Sequence, residues 1–267
     1  MNILLFFILG SVMGSFLSVA IKRLPIDETI VWGRSHCFSC RTKILARDLI
    51  PLASFFILRG RCRNCQQKIS YFYPLLEIMT GLIFVAVYYR FYDVLAGLNL
   101  YLFFTFYLLA IMALLIILFT DFFYFFVPDR ITVPAIIISL ILSSLNIFLS
   151  PKYGTDFFIY APFWGNLLGG ALIGAGFFFL LVFLSKERWM GWGDVKLGLF
   201  LGIILGWPLI LINLLVAFIA GGFWGAFLII LKKKKKTDVL PFAPFLVMGF
   251  FIAFFWGKYI IQWYNGV

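Results

Sequence analysis

Long apolar runs separated by short polar segments occupy almost the whole chain. Crossing the hydrocarbon core of a bilayer takes about 20 helical residues, and most of these runs approach that length. Helices are expected because an open sheet edge would leave backbone groups unpaired in lipid. The pattern predicts eight membrane-spanning helices, the sixth of them short, at 2–21, 74–92, 98–120, 131–149, 161–184, 195–206, 208–231 and 243–263.

Composition supports this all-α, polytopic membrane fold. Hydrophobic residues make up 64% of the 267 residues and charged residues 12%, whereas a typical soluble domain is about 25% charged. The predicted fifth span also has glycines at short intervals, a pattern typical of close helix packing. We therefore expect that helix to lie inside the bundle.

The distribution of basic residues predicts the orientation. If the N-terminus faces out, 19 of the 22 Lys and Arg residues fall in cytoplasmic segments, as the positive-inside rule requires. The formal charge of +11 is then a consequence of topology and indicates no nucleic acid. The lysine run at 232–236 is interpreted as an orientation signal or a contact with anionic membrane lipid.

Four cysteines lie in the one sizeable polar segment. The sequence divides into a first transmembrane helix at 1–21, a cytoplasmic insert at 22–73 and a membrane core of about seven helices at 74–267. The insert is too small for a large core of its own. It contains Cys37, Cys40, Cys62 and Cys65, which form two CxxC pairs with 21 residues between them.

This spacing predicts a structural zinc site with four thiolate ligands, in a zinc-ribbon-like insert. The alternatives are two disulfides or a redox CxxC, but disulfides are rare in a reducing compartment. His36 adjoins a ligand and is interpreted as a bystander, since four thiolates already fill a tetrahedral shell.

Two acids border apolar runs. Asp121 follows the run at 98–120, and Asp194 precedes the run at 195–206, so both fall at the predicted cytoplasmic face. Two neighbouring carboxyls can share a proton and activate water. The residues alone do not choose between Asp121 and Asp129, although Asp129 also suits a helix cap after Pro128. Asp194 likewise suits a cap for a helix that starts at Val195.

Several further motifs occur in order along nearly the full chain. They are Gly14-Ser15-Phe16-Leu17-Ser18-Val19, Arg23-Leu24-Pro25, Arg34-Ser35-His36-Cys37, Asp48-Leu49-Ile50-Pro51-Leu52, Arg59-Gly60-Arg61-Cys62-Arg63, Tyr73-Pro74-Leu75-Leu76-Glu77, Val127-Pro128-Asp129, Gly193-Asp194-Val195-Lys196 and Pro241-Phe242. Together these motifs resemble those of the type IV prepilin leader peptidase family.

The resemblance implies a membrane aspartic endopeptidase of the bacterial inner membrane. Such enzymes cut basic leaders from prepilins or pseudopilins after a glycine, on the cytoplasmic side, and many then methylate the new N-terminus with S-adenosylmethionine. It assigns catalysis to Asp121 and Asp194, and it places Glu77 at the methyl-transfer site. The alternative for Glu77 is a buried structural partner for one of the arginines of the insert. The chain departs from the family at Ser18, where asparagine is usual, and at Ala243, where glycine is usual.

Other functions compete with this interpretation. An ion-coupled transporter predicts acids near the bilayer midplane and related halves of the chain. A zinc-bearing membrane scaffold leaves the acid pair unexplained. A peptidase without methyltransferase activity also stays open, as in the preflagellin peptidases, which usually lack the CxxC pairs. Presenilin-type peptidases share the glycine and aspartate motif but lack the cysteine insert.

Overall fold

The computed structural model describes residues 3–30, 35–37, 39–91, 98–149, 163–232 and 240–266. Within these residues all regular structure is helical, apart from two isolated β-bridges in the insert, which confirms the all-α prediction. The helices are α1 (Ile3–Arg23), α2 (Ala53–Ile57), α3 (Phe72–Phe91), α4 (Leu98–Tyr124), α5 (Asp129–Leu149), α6 (Phe163–Ser185), α7 (Trp192–Leu205), α8 (Leu209–Ile230) and α9 (Ala243–Asn265).

Each predicted span corresponds to one of these helices. Six of them, α1, α3, α4, α6, α8 and α9, are long and apolar enough within the described residues to cross a bilayer. The chain is therefore a multi-pass membrane protein. Helix α7 has 14 residues and is about 21 Å long, so the count of eight spans stays a prediction. Most of the lysine run, 233–236, lies outside the described residues.

The chain forms two compact units, Met1–Met112 and Ala113–Val267, and the division predicted at 1–21, 22–73 and 74–267 stays a prediction. In the first unit α1 packs along α3. The two backbones are close, since a Cβ at Gly14 would lie 2.8 Å from the Cα of Glu77. Glycine in α1 thus brings this acid against the neighbouring helix.

In the second unit α7 is the central helix. It packs against α5, α6, α8 and α9, and eight of its 14 residues are buried. Its contact with α6 is made by facing glycines, where a Cβ at Gly170 or Gly174 would overlap backbone carbonyls of α7. This contact fixes the position of α7, which carries Asp194.

The expectation that the whole of α6 lies inside the bundle is wrong. Leu172 and Phe183 are 72% and 73% exposed, and an added Cβ at Gly176 would meet nothing within 4 Å. Only the face with Gly170 and Gly174 packs closely, because the remaining positions of the helix point away from α7.

Candidate active site

Asp121 lies in the last turn of α4 and is buried, with 8% exposure. The helix continues through Tyr124, so the predicted end at residue 120 is wrong and Asp121 is a helical residue. Its Oδ2 accepts a hydrogen bond from the backbone N–H of Ala243 at 3.0 Å. Since Ala243 begins α9, the carboxylate lies at the positive end of the dipole of that helix.

The start of α9 is held in place by an aromatic cluster. The ring of Phe242 lies 6.0 Å from that of Phe178 in α6 and 5.0 Å from that of Phe218 in α8. Pro241 precedes it, and Phe242 N-caps the helix. The Pro241-Phe242 motif thus sets the position of the N–H group that binds Asp121, a role that the sequence analysis did not find.

Asp194 is the third residue of α7 and is half-buried. Its Oδ2 accepts the backbone N–H of Gly191 at 3.3 Å. The interpretation of Asp194 as the cap of a helix starting at Val195 is wrong, because α7 already begins at Trp192. The carboxylate instead bonds back to the residue before the helix, as an acid at the third helical position commonly does.

The two carboxyls interact. Burial, followed by the negative charge of Asp121, raises the pKa of Asp194 to about 6. Like charges at short range oppose double ionisation. The structure therefore brings together the two acids that the sequence separates by 73 positions, and the pair can hold one proton while the other carboxyl is ionised.

Gly193 allows a loop to approach the pair. A Cβ on Gly193 would lie 2.9 Å from both Cβ and Cγ2 of Val127, in the segment that joins α4 to α5. Gly191 has ordinary backbone angles, with φ −96°, and a Cβ there would meet only the nitrogen of Gly193, at 3.9 Å. Close approach thus requires glycine at position 193 and not at position 191.

Asp129 and Lys196 form an ion pair beside the acids. Lys196 Nζ lies 2.6 Å from Asp129 Oδ1, with side chains 38% and 62% exposed. Asp129 is the first residue of α5, one position past the predicted cap. An exposed pair of this kind contributes about 0–1 kcal/mol. It ties the start of α5 to α7 and leaves Asp129 apart from the proton-sharing pair.

Helices α6 and α8 extend beyond the aromatic cluster around Phe242. Phe178 and Phe218 pack against Phe242, next to Ala243. From there α6 runs on to Ser185 and α8 to Ile230. At 1.5 Å per residue these extensions measure about 10 Å and about 18 Å. Both extensions carry exposed apolar side chains.

The four cysteines meet at one point in the insert. All four Sγ atoms lie within 4.8 Å of one another, and Cys37 and Cys65 Sγ are 3.9 Å apart. Tetrahedral zinc, with Zn–S of about 2.3 Å, places sulfurs about 3.8 Å apart. The described residues of the insert between 35 and 70 include no buried hydrophobic residue, so this cluster takes the place of a core.

The two CxxC pairs form matching knuckles. In each, the first cysteine donates its N–H to a carbonyl five residues on, and a residue with positive φ follows the second cysteine. Hydrogen bonds from Thr42 lower the pKa of Cys40 to about 6. The N–H of Gln67 favours the Cys65 thiolate, but burial and the other cysteines outweigh it and raise the pKa of Cys65 to about 11. Four thiolates thus require a cation, which the donor set fits.

Glu77 lies one and a half turns into α3 and is buried, with 7% exposure. Its Oε2 accepts the backbone N–H of Leu52 at 2.8 Å, and the Ser15 hydroxyl also hydrogen-bonds it. An alternative from sequence, that Glu77 pairs with an arginine of the insert, has no counterpart among these contacts. Glu77 instead joins α1, α3 and the insert.

Comparison with known proteins identifies the class. Residues 8–91 match the bacterial peptidase A24 N-terminal domain, and residues 107–226 match the type IV leader peptidase family. The chain belongs to the type IV leader peptidase family, because relatives that are more than 30% identical to it match 97% of its length. No solved structure matches it significantly.

The relatives share one description. A prepilin leader peptidase/N-methyltransferase of Bacillus subtilis (strain 168) is 31% identical over 97% of this chain and 96% of its own length. Proteins of the same description from Aeromonas hydrophila and Legionella pneumophila are 33% and 31% identical, over 97% and 95% of this chain and 92% and 91% of theirs.

Proposed function

We infer that this chain is a membrane peptidase that removes leader peptides from prepilins or pseudopilins and then N-methylates the new N-terminus. The names of its relatives and the matched family support both activities. The observation that carries the peptidase assignment is the pairing of the buried Asp121 with Asp194, whose pKa the negative charge of Asp121 helps to raise.

The pair suits a general acid–base hydrolysis. Asp121, which receives the N–H of Ala243, is assigned as the ionised base that takes a proton from water. Asp194, whose pKa is raised to about 6, takes up a proton more readily than an ordinary carboxyl and is assigned as the acid that hydrogen-bonds the scissile carbonyl in its protonated form. Proton transfer by positioned groups contributes about 10²- to 10⁴-fold in rate.

We further propose that Glu77 serves methyl transfer. S-adenosylmethionine, when bound, supplies a methyl group on a cationic sulfur. A buried carboxylate at the contact of α1 with α3 suits either the sulfonium or the ammonium of the cleaved pilin. The bond from Leu52 to Glu77 supports a second role, in which the same carboxylate holds the insert in position.

We propose zinc as the ion of the four-cysteine site, with Cys37, Cys40, Cys62 and Cys65 as ligands. The donor set and the sulfur spacing suit Zn²⁺, and its role is structural, because four thiolates leave no open position. A strong chelator should release one zinc per chain and make the insert sensitive to limited proteolysis. Retention of a resistant insert after complete zinc loss contradicts this role.

The proposed topology puts the N-terminus outside and the acid pair toward the cytoplasmic side, supported by the placement of 19 of 22 basic residues. The positive-inside rule places the basic leaders of the substrates on the same cytoplasmic side as the acid pair.

The experiment that tests the function uses purified protein, a prepilin with a basic leader and a Gly-Phe junction, and S-adenosylmethionine. Mass spectrometry of the product should show cleavage after the glycine and a gain of one methyl group. An intact prepilin contradicts the peptidase assignment, and a cleaved but unmethylated product contradicts the second activity alone.

A further inference from the structure

The short helix α2 of the insert exposes apolar side chains on one side. Phe56 and Ile57 are each 71% exposed, and Ile50 is 52% exposed. Phe55 points the other way, with its ring 5.5 Å from that of Tyr71 and against the position of Gly60. The segment at 50–57 thus has an inner side that packs on the insert and an outer apolar side.

A hydrogen bond sets the depth of this segment relative to the membrane helices. The N–H of Leu52 donates to Glu77, which lies five residues inside the candidate span Phe72–Phe91, or about 7.5 Å along the helix. Leu75, one turn into the same helix, is itself 63% exposed and apolar. The segment at 50–57 is therefore held beside the lipid-facing part of α3.

A strained backbone turn at Leu52 presents the N–H group that binds Glu77. Leu52 has φ 61° and ψ −54°, and the N–H of Ala53 bonds to the carbonyl of Pro51 at 2.6 Å. This is a γ-turn of the rare, strained form. Strain of this kind persists where surrounding contacts hold it, and here the bond from Leu52 to Glu77 is such a contact.

The positive charge around the segment is complementary to an anionic membrane surface. The insert at 22–73 has ten basic and three acidic residues, for a net charge of +7. Arg47, Arg59 and Arg61, which border the apolar segment, are exposed. Basic residues beside exposed aromatic and aliphatic side chains are typical of segments that lie in the interface of an anionic leaflet.

We propose that residues 50–57 form an interfacial anchor that inserts Ile50, Phe56 and Ile57 into the anionic lipid leaflet beside α1 and α3. The insert is then a membrane-associated layer, and its four-cysteine site lies close to the bilayer surface. Zinc would hold the two knuckles together while the anchor and Glu77 hold the insert on the membrane.

The test places a small environment-sensitive fluorescent amino acid at Ile57 and, as a matched control, at Gln67, which is exposed in the second knuckle. The full-length protein is studied in nanodiscs with anionic lipid. Lipids brominated on the acyl chain should quench the probe at position 57 several-fold more than at position 67, and aqueous iodide should show the reverse order. Zinc content verifies that both labelled proteins are folded.

Equal quenching at the two positions overturns the anchor. Shielding at position 57 that appears only after a prepilin is added also overturns it, because the surface then binds substrate and not lipid. The charge component is tested by Arg59→Gln with Arg61→Gln, which should reduce quenching by brominated anionic lipid at position 57. The same pair of substitutions should leave the quenching at position 67 unchanged.

Discussion

Gly193→Ala tests whether close packing beside the acid pair is needed for cleavage. The new Cβ would lie 2.9 Å from Val127 Cβ and Cγ2, whereas carbon atoms normally approach to about 3.5–4.0 Å. Either the α4–α5 segment or the start of α7 must therefore move by several tenths of an ångström to about 1 Å. Misplacement on that scale costs about 10²-fold in rate, so we expect prepilin cleavage to slow by about 10- to 100-fold.

Single-turnover cleavage in detergent, with prepilin at saturating concentration, measures this effect. Gly191→Ala is the matched control, because its added Cβ would make only an ordinary contact, with Gly193 N at 3.9 Å, and it should cleave at nearly the wild-type rate. All three nearest atoms to the new methyl group belong to Val127, so adding Val127→Gly should restore part of the lost rate. If Gly193→Ala cleaves as fast as Gly191→Ala, the proposed packing constraint is refuted.

Three further predictions concern other parts of the molecule. Asp121→Asn removes the charge that helps raise the pKa of Asp194, so the protonated-carboxyl infrared band of Asp194 should disappear at a lower pH than in wild type; an unchanged midpoint is the opposing result. Gly174→Ala should lower the free energy of unfolding in detergent by about 1–3 kcal/mol, and with it the melting temperature, because the added methyl group overlaps α7. Gly176→Ala should leave both unchanged, and equal melting temperatures for the two variants contradict this. Glu77→Gln keeps an acceptor for the insert, so it should retain cleavage and lose methylation, and retention of both activities argues against the assigned role.

The helices and the four-cysteine cluster were accessible from sequence because each depends on local signals. Apolar length predicted the spans, and the two CxxC pairs predicted four thiols that the structure brings together. The acid pair was predicted chiefly through the family resemblance. The residues alone left Asp121 and Asp129 as alternatives, and the difference between them, a buried acid against an exposed ion-paired one, depends on tertiary contacts.

Contacts between distant segments could not be predicted. The N–H of Ala243 binds Asp121 across 122 positions, and no sequence pattern encodes which backbone group faces a given acid. The same holds for Leu52 and Glu77, since the described insert residues at 35–70, none of which is a buried hydrophobic residue, show no periodicity that predicts where the insert docks. The exposed outer face of α6 was missed because the glycine spacing indicates only the face that packs against α7.

The central claim is that Asp121 and Asp194 act together in cleavage, and side-by-side cleavage of a prepilin by Asp121→Asn, Asp194→Asn and Asp129→Asn tests it most directly. Asp129 is the matched control, as a nearby acid that pairs with Lys196 outside the proton-sharing pair. The account predicts that the first two variants lose cleavage while retaining zinc and methylation of a pre-cleaved pilin, and that Asp129→Asn stays active. Cleavage at the wild-type rate by either Asp121→Asn or Asp194→Asn would contradict it.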